Sequence, residues 1–141
     1  RYRGRCIFCD IIHQEHQDKE RIVLESSAFL AFCPFAPRFA FETWIIPKRH
    51  AADFTTMNNI EKADLAKVLK DILSRIKTVL SNPSYNFFLH IAPNDYDFPE
   101  SYHWHIEIIP KLTRLVGFEW GTGLYIVPTT PRSAARFLRQ E

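Results

Sequence analysis

Polar and apolar residues alternate over positions 102–110, and this period of two predicts a β-strand. Because residues two apart in a strand point to the same face, we expect His103, His105 and Glu107 to project together. The apolar residues between them, beginning with Trp104, should face a core on the other side. Two imidazoles and a carboxylate on one face suit metal binding, acid–base or nucleophilic chemistry. A half-buried strand with a polar outer face would have the same pattern.

Runs of β-branched and aromatic residues predict further strands. They lie at 21–25, 29–33, 41–47 and 85–91, with a short one at 124–127. Ser26 and Ser27 separate the first two runs and favour a turn, so these two strands should form a hairpin.

Two helices are predicted where apolar residues recur every three or four positions. The long one covers 59–80, with Asn58 or Asn59 as its N-cap. The second covers 131–139, with Pro131 in its first turn. Its inner stripe should consist of Ala134, Ala135 and Leu138.

The order of hairpin, strand, long helix, two strands and terminal helix predicts an α+β fold with a mainly antiparallel sheet. We expect a single domain over residues 1–141. The remaining segments are predicted to be a lead-in at 1–5, a short turn or helix at 10–12, and loops at 13–20, 93–99 and 117–123. His13 and His16 fall in a polar segment and are expected to be solvated.

Composition narrows the function classes. The formal net charge is +2 over 141 residues, which does not favour nucleic acid binding. We find no apolar run long enough to span a bilayer and no signal-peptide pattern. Of three cysteines, Cys6 and Cys9 have two residues between them, which indicates metal or redox chemistry rather than a disulfide framework. We therefore expect a reducing, cytoplasmic location, with Cys33 as a small buried residue.

Cys6 and Cys9 form a soft-ligand pair with the spacing of tetrahedral metal sites. Such a pair needs two more ligands, and His50 and His103 stand where predicted strands meet loops. Together the four side chains predict one structural zinc ion that ties the N-terminal segment to the sheet. The alternative is a free thiol pair beside two ordinary histidines.

His105 would then lie beside the metal site on the same strand face. A neutral imidazole can attack phosphorus as a nucleophile, and Glu107 could orient its other nitrogen. His90 is expected on the neighbouring strand, close to His105. His90, His105 and Glu107 could equally form a second metal site, and the residues alone leave these alternatives open.

Three motifs carry a resemblance to a known superfamily. They are CIFCDII at 6–12, FETWIIPKRH at 41–50 and HWHIEIIP at 103–110. In this order and spacing they resemble the histidine-triad superfamily. Within it, nearly the whole chain resembles the C-terminal half of the galactose-1-phosphate uridylyltransferases. The likeness extends through GFEWGTG at 117–123 and AARFLR at 134–139.

The resemblance implies part of a two-copy enzyme. In that family, two copies of the fold move a uridylyl group between UDP-glucose and galactose 1-phosphate through a uridylyl-histidine intermediate. The nucleophile lies in a His-Pro-His of the N-terminal copy. This chain has His103-Trp104-His105 instead, so it resembles the C-terminal copy and is expected to lack that nucleophile. The implied partners are a UDP-sugar, a hexose 1-phosphate, the N-terminal copy and a second subunit of a homodimer.

The resemblance also implies site residues. The zinc ligands of relatives match Cys6, Cys9, His50 and His103. In other relatives, histidines that match His90 and His105 bind a second ion, with a histidine where Glu107 stands. Contacts to the hexose phosphate, made in the partner subunit's active site, match Val116, Phe118 and Glu119.

Two positions depart from the family pattern. The triad is His, His, Glu, with Glu107 last, so a stand-alone triad hydrolase is not expected. Many relatives have Asn where Val127 stands, which leaves the sugar open. Three hypotheses follow. The chain is the C-terminal domain of a hexose-1-phosphate uridylyltransferase, a small nucleotidyl hydrolase or transferase that uses His105, or a non-catalytic, zinc-stabilised nucleotide-binding domain.

Overall fold

The computed structural model describes residues 5–93, 99–112, 114 and 117–140 of the chain. Its helices are α1 (Ile7–Asp18), α2 (Asn59–Val79), α3 (Gly117–Thr122) and α4 (Pro131–Arg139). Its strands are β1 (Ile22–Glu25), β2 (Phe29–Phe32), β3 (Thr43–Pro47), β4 (Tyr85–His90) and β5 (His105–Pro110). Short 3-10 turns lie at Phe54–Thr56 and Pro99–Ser101. None of the helices in the described ranges is long and apolar enough to cross a membrane.

The five strands form one sheet in the order β1-β2-β3-β5-β4, and every neighbouring pair is antiparallel. The α+β fold, the first hairpin and the long helix are therefore confirmed. The strand predicted from residue 102 begins at His105, because His103 and Trp104 lie in the extended segment before the ladder.

The helix α2 covers one face of the sheet. Its buried residues Leu65, Val68, Ile72 and Ile76 pack against a core that includes Phe29, Ile45, Trp104, Ile106 and Ile108. Each large side chain buried in this way contributes about 1.5–3 kcal/mol. α4 adds its predicted stripe of Ala134, Ala135 and Leu138 to the same core.

The N-terminus of α2 is fixed by a capping box, and Asn58 rather than Asn59 is the N-cap. The Asn58 side chain accepts the backbone N–H of Glu61 at 2.9 Å, and the Glu61 carboxylate accepts the N–H of Asn58 at 2.9 Å. Two helix N–H groups that would otherwise lack partners are thereby satisfied.

The prediction of a loop at 13–20 is wrong, because α1 continues to Asp18. The helix packs on the other face of the sheet, where Ile12 joins Leu30, Phe32 and Ile46. Its inner face also carries Glu15, which is 2% exposed. A sequence does not distinguish a buried glutamate from a solvated one. The amphipathic pattern of α1 was therefore not recognised. His13 is exposed as predicted, whereas His16 is half-buried near Glu25.

The two predictions for 117–127 are also wrong. Residues 117–122 form the short helix α3, and Gly123 ends it with a φ of +70° and an N–H bond to the Glu119 carbonyl. This is the left-handed C-terminal position that glycine favours. Residues 124–127 form no strand, since the Ile126 N–H donates to the Glu119 carboxylate instead of a sheet partner.

Smaller expectations have mixed outcomes. Cys33 is buried as predicted, at 1% exposure. Residues 1–4 of the lead-in and 94–98 of the proline-rich loop lie outside the described residues.

The Arg21→Met variant should be strongly destabilised, because Arg21 neutralises the buried Glu15. Its Nε donates to both Glu15 oxygens at 2.9 and 3.0 Å, and Nη2 donates to Asp18 at 3.0 Å. Without Arg21 an uncompensated carboxylate remains buried, at a cost of about 3–5 kcal/mol in the free energy of unfolding. Urea denaturation measures this loss. Arg132→Met, which breaks an exposed pair with Glu20, is the matched control and should cost at most about 1 kcal/mol. Equal losses in the two variants would contradict the expectation.

The Asp64→Asn variant should lose stability at neutral pH and lose its difference from wild type in acid. The Asp64 carboxylate on α2 accepts hydrogen bonds from Ser26, Ser27 and the backbone of Ala28 at 2.7–3.1 Å. Burial would raise the pKa of Asp64, but these donors hold it below the ordinary value. A carboxylate whose pKa is lower in the folded than in the unfolded protein stabilises the fold at pH values above its unfolded pKa. This stabilisation is lost as the pH falls through the pKa of the folded protein.

We expect a difference of about 1–2 kcal/mol between wild type and Asp64→Asn at pH 7. It should shrink as pH falls from about 5 to about 3. Chemical denaturation across this range measures it. Asp71→Asn, on the exposed side of the same helix, should show a much smaller difference at pH 7. A pH-independent Asp64 difference would disprove the linkage.

Candidate functional site

The two cysteines lie at the start of α1. Cys6 is the N-cap residue and Cys9 lies in the first helical turn. Residues three apart on a helix lie on the same side, so both sulfurs face the end of the sheet where β3 stops and β5 starts. Cys6 is 6% exposed, and Cys9 is half-buried.

The antiparallel pairing of β3 with β5 brings His50 and His103 to the same place. Their ring centroids are 5.2 Å apart. Cys9 Sγ lies 3.3 Å from His50 Nδ1 and 3.6 Å from His103 Nδ1, and Cys6 Sγ lies 4.0 Å from His103 Nδ1. The structure thus brings together the four side chains predicted to bind zinc, with one ligand atom of each within 4.8 Å of the others.

These four side chains fit a tetrahedral ion. Zinc–sulfur and zinc–nitrogen bonds of about 2.3 and 2.0–2.1 Å imply ligand atoms roughly 3.5 Å apart. His103 Nε2 lies 2.7 Å from the Pro47 carbonyl, which can only accept, so Nε2 carries the proton and the Nδ1 lone pair faces the sulfurs. An outer hydrogen bond of this kind is typical of metal-binding histidines.

Burial shifts the pKa values of two groups in the cysteine-containing cluster. Burial and the neighbouring Cys6 raise the pKa of Cys9 to about 11. Burial lowers the pKa of His103 to about 4, although the bond to Pro47 opposes the shift. Without a metal the Cys9 thiol and the His103 imidazole are therefore both neutral. A metal bound here would displace the thiol protons, so its affinity would rise with pH.

A second cluster lies one step further along β5. The β4–β5 register pairs His90 with His105 and Phe88 with Glu107. His90 Nε2 is 3.3 Å from Glu107 Oε2, and His105 Nε2 is 3.7 Å from Glu107 Oε1. Each of the three residues offers a ligand atom within 4.8 Å of the others. The predicted common face of His105 and Glu107 is thus confirmed.

The environment of His105 is aromatic and closed. Its ring stacks at 4.8 Å between those of Trp44 and His90, and Phe8 lies at the same distance. The His105 side chain is 5% exposed. Its Nδ1 donates to the His103 carbonyl at 3.2 Å, which leaves Nε2 on the side of Glu107.

A His105 Nε2 without a proton and the Glu107 carboxylate would both be acceptors, and such a pair requires a cation between them, either a proton or a metal ion. The buried Nε2 of His90 also lacks a partner, because it lies near Glu107 without making a hydrogen bond. A cation between these groups would satisfy it. The chemistry of this donor set therefore fits a divalent metal.

Arg38 and Glu42 belong to this cluster, and sequence reasoning missed both. Arg38 Nη2 donates to Glu107 Oε2 at 2.6 Å from 69 positions away in the chain. Burial alone would raise the pKa of Glu107, but His105, His90 and Arg38 together hold it below its ordinary value. Glu42 accepts the Trp44 indole N–H at 3.0 Å and so holds the ring that stacks on His105. The contact of Arg38 with Glu107 joins residues too far apart in the chain to leave a local pattern in the sequence.

The residues expected to touch a sugar phosphate lie apart from these clusters in the chain. Phe118 on α3 is 53% exposed, and Glu119 accepts the N–H of Ile126 at 3.2 Å. Val116 lies outside the described residues. A neighbouring cavity of about 420 Å³ is lined by residues that include Phe39, Phe88, Ile109, Lys111, Arg114 and Trp120.

Comparison with known proteins identifies the family. Residues 1–130 match the family described as galactose-1-phosphate uridyl transferase, C-terminal domain. An ADP-glucose phosphorylase of Arabidopsis thaliana is 36% identical over 140 residues, which are 97% of this chain and 38% of that protein. A galactose-1-phosphate uridylyltransferase of Thermotoga maritima is 33% identical over 98% of this chain and 45% of that protein.

Solved structures agree with the fold. The crystal structure of an Arabidopsis thaliana ADP-glucose phosphorylase with bound ADP-glucose has a TM-score of 0.85 and 35% identity, over 99% of this chain and 44% of that one. A zinc-bound histidine triad protein of Mycobacterium smegmatis shares the fold at a TM-score of 0.65 and 23% identity, over 96% of this chain and 91% of that one. The histidine-triad-like fold is thereby confirmed.

The extent of each match shows how much of the relatives corresponds to this chain. The chain spans less than half the length of the two curated relatives, yet almost all of it takes part in the alignments. The chain belongs to the family of galactose-1-phosphate uridyl transferase C-terminal domains.

Proposed function

We propose that this chain forms the C-terminal part of a nucleotidyltransferase that acts on a nucleotide sugar and a hexose 1-phosphate, with UDP-glucose and galactose 1-phosphate as the first substrates to test. The observation that carries the proposal is the family match over residues 1–130. The fraction of each relative covered, 38–45%, supports a role that requires a further part of the enzyme.

The edge strand β4 supports docking of the N-terminal copy. Tyr85, Phe87, Phe88 and Leu89 are 41–54% exposed and occupy both faces of this strand. An edge strand offers unpaired backbone groups, and an apolar patch beside it marks an interaction surface. A second copy of the fold, whose own sheet could continue this one, suits such a surface. A homodimer of the whole enzyme is the further arrangement that we propose.

We assign a structural zinc ion to Cys6, Cys9, His50 and His103. With four protein ligands the ion has no open position for substrate, so it would contribute to folding rather than to chemistry. The ion would connect α1 to the ends of β3 and β5. A second ion at His90, His105 and Glu107 is proposed because their ligand atoms lie within 4.8 Å of one another.

For His105 the geometry supports binding a cation over acting as a nucleophile. The ring is enclosed by three aromatic neighbours and 5% exposed. Attack on phosphorus would require these neighbours to move apart. The small hydrolase or transferase that uses His105 directly is therefore the less favoured candidate. We also propose that Val116, Phe118 and Glu119 contact the hexose phosphate in a partner subunit, for which Phe118 is accessible at 53% exposure.

A second candidate is the phosphorolysis of ADP-glucose. The Arabidopsis protein with that name is 36% identical to the chain, a value slightly above that of the Thermotoga transferase. Both candidates share nucleotidyl transfer and differ in base and acceptor.

As to location, the cysteines at 6, 9 and 33 are unpaired, which suits the reducing cytoplasm that we propose.

Zinc content tests the first metal assignment. Freshly purified protein should hold one zinc ion in the cysteine-containing site, measured by elemental analysis with the ions counted per chain. Cys6→Ser and His103→Ala should lose this ion and lower the free energy of unfolding by several kcal/mol, since metal binding is coupled to folding. His13→Ala, at an exposed histidine on the same helix, should retain it. Zinc-free wild-type protein, or full zinc in His103→Ala, would refute the assignment.

Complementation tests the transferase role. The 141-residue chain should show no turnover alone, with either UDP-glucose and galactose 1-phosphate or ADP-glucose and phosphate. Addition of an N-terminal copy that carries His-Pro-His should produce turnover with one of the two pairs, and this pair identifies the base. Full activity of the chain alone, with a nucleotide trapped on His105, would instead support the stand-alone enzyme. His105→Asn is the control for trapping.

A further inference from the structure

Arg38 is the only permanently charged cation among the described residues that pairs with the Glu107 carboxylate. The guanidinium lies 2.6 Å from Oε2, which is also the oxygen nearest to His90. The Glu107 side chain is 8% exposed, whereas that of Arg38 is 49% exposed. The contact thus joins a fixed, buried anion to a cation that has solvent on one side.

A second buried carboxylate holds the backbone of Arg38 in place. Glu42, 2% exposed, accepts the backbone N–H groups of Arg38 at 2.8 Å and Phe39 at 3.3 Å. Its other oxygen accepts the Trp44 indole. Phe41 has a φ of +61°, so the chain reverses within this loop. The loop therefore fixes the backbone of Arg38, while its side chain is held by Glu107 on one side and has solvent on the other.

A metal ion in the second cluster would need the oxygen atoms that Arg38 now neutralises. An ion coordinated by Glu107 would lie about 2.0–2.2 Å from a carboxylate oxygen. It would thus come within roughly 5 Å of the guanidinium, and the two positive charges would repel in a poorly solvated site. The single negative charge of Glu107 cannot neutralise both the metal ion and the guanidinium.

We propose that Arg38 and a divalent metal ion compete for Glu107, so that Arg38 governs the affinity of the second site. This rests on the proposed second metal site and is independent of the transferase role. In the metal-free state the ion pair satisfies Glu107. When metal binds, the Arg38 side chain leaves toward solvent while Glu42 retains its backbone.

Cobalt(II) titration of the zinc-loaded chain tests the competition. Cobalt at the second site has only nitrogen and oxygen ligands, so its visible spectrum lacks the sulfur bands of the first site. Arg38→Met keeps the length of the side chain and removes the charge, and it should bind cobalt at least about tenfold more tightly than wild type. Arg38→Lys keeps a cation and should stay within about twofold of wild type.

Two controls accompany the titration. Arg75→Met removes an arginine from a pair on α2 and should leave cobalt binding unchanged. Glu107→Gln should abolish binding at this site. If Arg38→Met fails to fold, as judged by near-ultraviolet circular dichroism, Arg38→Gln takes its place.

The outcomes separate the two claims. Equal cobalt affinity in wild type and Arg38→Met would refute competition while leaving the second site intact. Weaker binding in Arg38→Met would refute it as well, because Arg38 would then support the site. No cobalt binding by any variant up to millimolar concentrations would refute both the second site and the inference. The complementation result for the transferase role is unaffected in each case.

Discussion

The register of β5 with its two neighbours, β3 and β4, is the constraint on which both ligand clusters depend. The pairing with β3 places Trp44 opposite Glu107, and the pairing with β4 places His90 opposite His105. Because side chains alternate along each strand, this register directs Trp44, His105 and Glu107 to the α1 face and Ile106 and Ile108 into the α2 core. A slip by one residue would exchange the two faces and bury the carboxylate under α2. The apolar core therefore maintains the geometry of the polar face.

The docking of α1 is the second requirement, since it brings the cysteines to histidines that belong to the sheet. The helix is held by Ile12 and by the buried ion pair of Glu15 with Arg21, so one end is fixed without any metal. The other end carries the ligand cluster. There burial keeps the Cys9 thiol protonated and His103 neutral. These two neutral groups can stay buried without a counter-ion, and a metal bound here would replace thiol protons with one cation.

Sequence reasoning recovered the features that depend on local period and spacing. The α+β order, α2, and the convergence of Cys6 and Cys9 with His50 and His103 followed from strand alternation and ligand spacing. It failed where burial reverses the usual meaning of a residue: a charged Glu15 inside a helix face made α1 look like a loop. It also missed Arg38, because a contact across 69 positions leaves no local pattern.

The carboxylate of Glu107 sets the charge requirements of the second cluster. With three imidazoles the cluster would be neutral and could stand empty without a counter-ion. With a carboxylate it carries a negative charge in a site that is almost closed to water, and such a charge requires a partner in every state. Arg38 meets this requirement in the present structure. Glu42 holds the backbone of Arg38 in the loop before β3, and from there the guanidinium reaches Glu107. Glu107 on β5 and Arg38 in the loop before β3 thus form one electrostatic unit. A change of charge at either position alters the charge that the other must bind.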